Sequence, residues 1–329
     1  APPGSDTTDP ASFSTHAEMC FQVAARYGSR EVPLEQISVR SGQAKKTGLG
    51  IMKRLQPYNE TWEFWEGTPR TFVRPDGTTE TRTTGDWAPE EEAAMMVAAY
   101  NRIKQADPDM TVVWPSWLKP DPSQMERVKA WLNVINAGQV PADEIAFTLW
   151  WNNVYPNNDD YTQTLDWSGA GAKHPESNGG LKAYCDNLVD QVQALFPGVD
   201  VIISENGYDS DPASPQGAPT IGTKSSQAVQ AEWLVRSYMA IFASKINYLY
   251  QYQIDDAPGG GLFAASGLVW ADNITPKISW FYTATVLDVL QNAVFEAEVA
   301  SGRPDVMIYR FRDISNDNAI YAVWCPTAE

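Results

Sequence analysis

Apolar runs of strand length alternate along this chain with longer stretches of helical periodicity, which predicts an α/β protein built on a parallel sheet. The strand candidates support this. Thr111-Val112-Val113-Trp114-Pro115 and Val201-Ile202-Ile203 are nearly continuous in apolar side chains, as strands buried on both faces are. Two strand candidates end on a glutamate and then turn: Leu55-Gln56-Pro57-Tyr58-Asn59-Glu60 and Val201-Ile202-Ile203-Ser204-Glu205-Asn206-Gly207-Tyr208. A carboxylate at the C-terminal tip of a strand, beside aromatics, is how a (β/α)8 barrel presents catalytic groups.

Taken in order, the first dozen residues are rich in Pro, Ser, Thr and Asp and read as loop. Residues 15–26 predict a short helix on Ala17, Met19, Phe21, Val23 and Ala24, and 27–50 are polar without a period. Ile51 to Asn59 is the first strand. Residues 68–86 form a polar loop too long for a bare connector, so an overhang above a site is expected. A helix begins at Ala88-Pro89-Glu90-Glu91-Glu92, with Pro in the first turn and acids at the positive end of the dipole, and runs to Asp107-Pro108. Residues 111–115 are a strand, 122–137 an amphipathic helix, 145–151 a strand and 152–178 a polar loop. Then follow a helix at 181–196, a strand at 201–205, a helix at 226–244, a strand at 246–254 ending on Asp255-Asp256, and a helix at 276–290. Val306 to Phe311 and Ala319 to Trp324 read as a hairpin. The expected division is a barrel over 1–292 and the start of a β-rich extension over 293–329.

Composition narrows the function classes. The chain has 329 residues, 43 % of them hydrophobic, enough for one large barrel domain with a sizeable core. No apolar run approaches the roughly 18 residues of a membrane span. With 24 Lys and Arg against 41 Asp and Glu, the net charge of −17 disfavours nucleic acid and anionic membranes as partners. The 13 Trp, 14 Tyr and 11 Phe fit core packing and also fit stacking on the apolar faces of sugar rings. Cys20, Cys185 and Cys325 are far apart and odd in number, and with only two histidines no zinc site is expected.

Two glutamates on different strands can flank one glycosidic bond, one as acid/base and one as nucleophile. Asn59-Glu60 with Trp62 and Trp65, followed with two strands between, at 111–115 and 145–151, by Ile203-Ser204-Glu205-Asn206-Gly207-Tyr208, resembles the clan A retaining glycoside hydrolases on a (β/α)8 barrel. In that clan the acid/base follows an Asn at the end of the fourth strand and the nucleophile ends the seventh. Gly267-Leu268 and Pro276-Lys277-Ile278-Ser279-Trp280-Phe281-Tyr282 resemble the clan's last loop and helix. The likeness covers roughly residues 50–292 and leaves the family open.

The resemblance implies Glu60 as acid/base and Glu205 as nucleophile, with no cofactor and no metal. The competing readings are a first-turn helix carboxylate for Glu60 and a turn residue for Glu205, although a charge directly after Val-Ile-Ile is costly unless used or paired. Glu63 competes with Glu60 for its role, and Glu66 reads as solvated. Asn59 would bond the 2-hydroxyl of the sugar at the cleavage point, or simply cap the strand end. Trp65, Trp114, Trp151, Asn152, Tyr252 and Asp255 are the further substrate-contact candidates. Trp117, Trp150 and Gln253 stand beside them, and core packing is the default for at least half the tryptophans. Asp255-Asp256 serves equally as a loop cap, and Asn157-Asn158-Asp159-Asp160 reads as a turn before it reads as a calcium loop.

Only 58 residues precede Asn59, whereas three earlier strand–helix units need about 90. The expectation is therefore a barrel showing its fourth to eighth strands, with a complementary segment supplying the others. The expected partner is a carbohydrate, and the expected location is secreted or periplasmic. Two rivals remain at this stage. One is a non-catalytic carbohydrate-binding protein on a decayed barrel. The other is a doubly wound α/β domain, disfavoured because no glycine-rich phosphate loop follows any strand.

Overall fold

The structure, a computed structural model, describes residues 5–61, 70–73, 79–82, 87–117, 121–150, 172–177, 179–214, 216–272 and 274–326. In chain order the elements are α1 (Ser14–Tyr27), β1 (Arg54–Leu55), β2 (Arg70–Val73), β3 (Thr79–Arg82), α2 (Pro89–Ala106), β4 (Thr111–Trp117), α3 (Pro122–Ile135) and β5 (Glu144–Leu149). They continue with α4 (Leu181–Leu195), β6 (Asp200–Asn206), α5 (Ser226–Phe242), β7 (Tyr248–Gln251), α6 (Ile278–Leu290), β8 (Ala293–Glu298), β9 (Met307–Asp313) and β10 (Ala319–Trp324). Five strands follow the order β1-β4-β5-β6-β7. β4 pairs parallel with β1 and β5, and β6 pairs parallel with β7. This is the strand–helix alternation of a partial (β/α)8 barrel.

The chain divides into two compact units, 1–147 with 191–201, and 148–190 with 202–329. In the first, α2 starts on Pro89 with Glu90, Glu91 and Glu92 in its first turn. α3 starts on Asp121, whose carboxylate accepts from the Ser123 and Gln124 amides. The core gathers Phe21, Met95, Met96, Ile103, Trp114, Trp117, Phe147 and Phe196, each contributing about 1.5–3 kcal/mol by leaving water. Pro115 sits inside β4 although it cannot donate to a ladder. It is accommodated because the β4–β5 register slips between Trp114 and Trp117.

The second unit carries β7, α5, α6 and the antiparallel sheet ordered β10-β9-β8. Tyr309 and Phe311 of β9 join Tyr238, Met239 and Val286 of the helices in one cluster, so the C-terminal sheet shares a core with α5 and α6. Its β9–β10 pair is the hairpin read from sequence.

Four expectations differ. The strand expected over 246–254 is only β7, Tyr248–Gln251. β1 is two residues long, not nine, because the amides of Gly50, Ile51 and Met52 donate to the carbonyls of Gly28 and Tyr27 at the end of α1 instead of to a sheet. The 68–86 segment holds a short antiparallel pair, β2 with β3, instead of being loop throughout. β8 was not anticipated, since Ala293-Val294-Phe295-Glu296-Ala297-Glu298 follows α6 after only Gln291 and Asn292.

Candidate active-site residues

Glu60 lies five residues past β1, half-buried, with φ at 47°. That left-handed backbone is unfavourable for a residue bearing a Cβ and persists only where its surroundings hold it. Two anchors bracket it. On the N-terminal side, Gln56 Nε2 donates to the Tyr58 carbonyl at 2.8 Å, to Asn59 Oδ1 at 2.9 Å and to Ser116 Oγ of β4 at 3.2 Å. On the C-terminal side, Thr61 is fully buried; its hydroxyl donates to Glu92 Oε1 at 2.8 Å and its carbonyl accepts from the Trp87 amide at 2.8 Å. Asn59 is exposed, and its side-chain oxygen is held by Gln56.

Glu205 is the penultimate residue of β6, half-buried at the end of a run in which Val201, Ile202 and Ile203 are buried. The β6–β7 register slips between Ile203 and Asn206, leaving Ser204 and Glu205 in the irregularity. Such interruptions re-aim a side chain at a strand end. Asn206 then anchors the tip: Nδ2 donates to the Leu149 carbonyl at 3.2 Å, and its own carbonyl accepts from the Tyr252 amide at 2.9 Å. Gly207 is there for space. A Cβ would lie 2.2 Å from the Tyr252 carbonyl oxygen and 3.2 Å from the Trp150 ring, so the turn-forming reading of Asn206-Gly207 gives way to close approach of two strand ends.

Beyond Glu205, Trp150 packs its ring 5.4 Å from Tyr252 and 4.4 Å from Phe263. Trp150 is buried, while Tyr252 and Phe263 are half-buried. Phe263, in the loop after β7, has φ at 64° and gives its amide to Asp209 Oδ2 at 3.0 Å. Asp209 is itself fully buried and also accepts from the Ser214 and Ser266 hydroxyls. Burial pushes its carboxyl above the ordinary range in spite of these donors. Lys277 Nζ reaches Asp256 Oδ1 at 2.6 Å, the Ser210 hydroxyl at 3.0 Å and the Ala265 carbonyl at 3.0 Å. These contacts bind the loop after β6 to the loop after β7.

The remaining sequence candidates are placed as follows. Trp114 is 1 % exposed and gives its indole N–H to Glu92. It is a core residue with no face to offer a ligand, and Trp117 is the same; core packing is the reading that applies to both. Asp255 is half-buried and bridges to Val269 through its backbone. Asp256, not Asp255, caps the loop, accepting from the Gly267 amide at 2.9 Å and from Lys277. Trp65, Trp151, Asn152, Glu63, Glu66 and the 157–160 run lie outside the described residues. Sequence reasoning missed Glu92, Phe263 and Asp209. Glu92 is one of three consecutive glutamates, all buried, and nothing in the sequence marks which of them meets Trp114, Trp117 and Thr61.

No protein-family model matches the chain, and no curated protein matches it. Among solved structures it is similar to a glucosidase from Croceicoccus marinus, with a TM-score of 0.54 and 12 % identity over 96 % of this chain and 61 % of that one. A family 39 glycoside hydrolase from Bacteroides cellulosilyticus WH2 gives 0.47 and 18 % over 73 % and 45 %. A family 5 xyloglucan-specific endo-β-1,4-glucanase from a metagenomic library gives 0.45 and 12 % over 85 % and 67 %. The chain thus spans 45 % and 61 % of the length of the first two. At these identities the likeness is one of fold alone: the chain carries part of a (β/α)8 architecture.

Proposed function

We propose that this chain carries the catalytic carboxylates of a retaining glycoside hydrolase acting on a β-linked poly- or oligosaccharide. Glu205 attacks the anomeric carbon, and Glu60 protonates the departing oxygen and then activates the water that releases the sugar. The observation that supports this most is the placement of each glutamate beyond or at the C-terminal end of its own parallel strand, held there by a distinct local device. Tyr252 and Phe263, half-buried beside Trp150, are the proposed aromatic contacts for a sugar ring, with Asn59 at its 2-hydroxyl. Trp65, Trp151, Asn152 and Asp255 stay in the proposal as substrate contacts. So do a complementary segment bearing further strands and an exported location.

The experiment is a screen of β-linked polysaccharides and 4-nitrophenyl β-glycosides, with the anomeric configuration of the first product followed by NMR. Retention that disappears in Glu205→Gln supports the reading. Inversion would mean carboxylates about 6.5–9.5 Å apart instead of 5–5.5 Å and would refute double displacement. Saccharide binding without turnover would favour a non-catalytic carbohydrate-binding protein.

A further inference from the structure

We propose that Glu92 is a positioning residue for Glu60, an inference that rests on reading Glu60 as the acid/base. Glu92 is fully buried in the first turn of α2. One of its oxygens, Oε1, accepts three hydrogen bonds: from Trp114 Nε1 at 2.5 Å, from Trp117 Nε1 at 2.7 Å and from Thr61 Oγ1 at 2.8 Å. A carboxylate enclosed this way is tolerated only because donors surround it, and the helix N-terminus adds favourable dipole.

The donors are unequal in kind. The two indoles belong to the core of the first unit and fix the carboxylate in place. The third donor belongs to the residue that follows Glu60. Thr61 is thereby tied to the rigid end of α2, while its carbonyl is tied to Trp87. Glu60, immediately before it, keeps its left-handed backbone at φ 47°. The grip on Thr61 sets the direction in which the Glu60 side chain leaves the chain. A general acid works only when its proton lies within hydrogen-bond reach of the leaving oxygen, and about 1 Å of misplacement costs on the order of a hundredfold.

The test compares Thr61→Val, which removes the hydroxyl at nearly constant shape, Glu92→Gln, which removes the charge, and Glu60→Gln, all in the whole chain. The probes are paired methyl and 4-nitrophenyl β-glycosides of the sugar that the wild type turns over. A methyl leaving group needs protonation, and a nitrophenolate hardly does. The expected result is a kcat/KM on the methyl glycosides lowered about tenfold or more in both anchor variants, with kcat/KM on the nitrophenyl glycosides nearly unaffected, because kcat/KM reports the first step and not the release of the sugar that Glu60 also assists. Equal losses of kcat/KM on both substrate types would mean only general destabilisation and would overturn the inference. If Glu60→Gln shows the leaving-group dependence and the anchor variants do not, Glu92 is excluded while Glu60 stands. If Glu60→Gln shows none, the assignment of Glu60 itself fails. A second measurement needs no turnover: the carbon-detected NMR titration of the Glu60 carboxyl and hydrogen exchange at the Trp87 amide. Both are expected to change in Thr61→Val, and an unaltered pair would overturn the inference.

Discussion

Lys277 and Asp256 form an ion pair at 2.6 Å in which the lysine side chain has no exposure to solvent. Lys277 opens the connection into α6, Asp256 follows β7, and the further donation to Ser210 and Ala265 makes the lysine the tie among three loop segments. Burial pushes the ammonium below its ordinary range, and Asp256 opposes that.

Removing one partner strands the other. Lys277→Met is expected to cost about 3–5 kcal/mol, because Asp256 stays buried without its cation. Lys277→Met with Asp256→Asn should recover a large part of that. Urea unfolding of the three proteins decides it, and a single variant as stable as the wild type would show that the pair is solvated in solution.

Acid should unfasten the C-terminal strand. Glu176 accepts from Arg236 Nε at 2.9 Å and Trp324 Nε1 at 2.6 Å, and contacts His174 Nδ1 at 3.2 Å. Burial works against its ionisation, but these partners outweigh burial and hold it at about 2, down from 4.5. A depressed carboxyl contributes stability that is complete above its unfolded pKa of 4.5 and is lost as pH falls toward about 2. The difference corresponds to about 3 kcal/mol. Stability against pH for Glu176→Gln and wild type should converge across that window. Parallel curves would refute the linkage.

Gly207→Ala leaves both glutamates in place yet pushes a methyl to 2.2 Å from the Tyr252 carbonyl oxygen. Since the obstacle is backbone, we expect about 1–3 kcal/mol of destabilisation and a lowered kcat through displacement of the β6 end. A crystal structure of the variant with an unmoved Glu205 would contradict the second part.

For the carboxylates, Glu60→Gln should lower turnover of unactivated substrates on the order of 10²–10⁴-fold. Glu205→Gln should abolish formation of a covalent glycosyl–enzyme, checked by intact-mass spectrometry with an activated 2-fluoro glycoside. A labelled adduct on any other residue would move the nucleophile.

The thiols should separate by rate. Cys325 is exposed, whereas Cys20 and Cys185 are buried. Burial raises Cys20 to about 11 and Cys185 further still. A disulfide reagent at pH 8 should modify one thiol rapidly and the other two only after denaturant is added. Two fast thiols would place one of the buried cysteines at the surface.

Much of the architecture was legible because parallel strands and amphipathic helices leave periodic traces. The runs at 111–115 and 201–205, the Pro89 helix start and the helix over 122–137 recur within a few residues in β4, β6, α2 and α3. The short β1 was not legible, since its missing length depends on amides that the distant end of α1 captures. The candidate glutamates stood out as strand-end charges, but their supports did not. Glu92 looks like an ordinary dipole complement until Trp114, Trp117 and Thr61 are seen converging on one oxygen.

By itself, the sequence determined the class of fold, the order of the parallel strands and of the helices between them, and the end of β6 that carries Glu205, because hydrophobic period and local start and stop signals act over a few residues. Tertiary structure alone decided which tryptophans are core and which aromatics gather beside Gly207. It also decided that Gly207 serves close approach, and that buried Glu92, Asp209 and Lys277 organise the loops. Those outcomes depend on what meets what across dozens of residues, and the cost of burying a polar group is set by partners that no local pattern names.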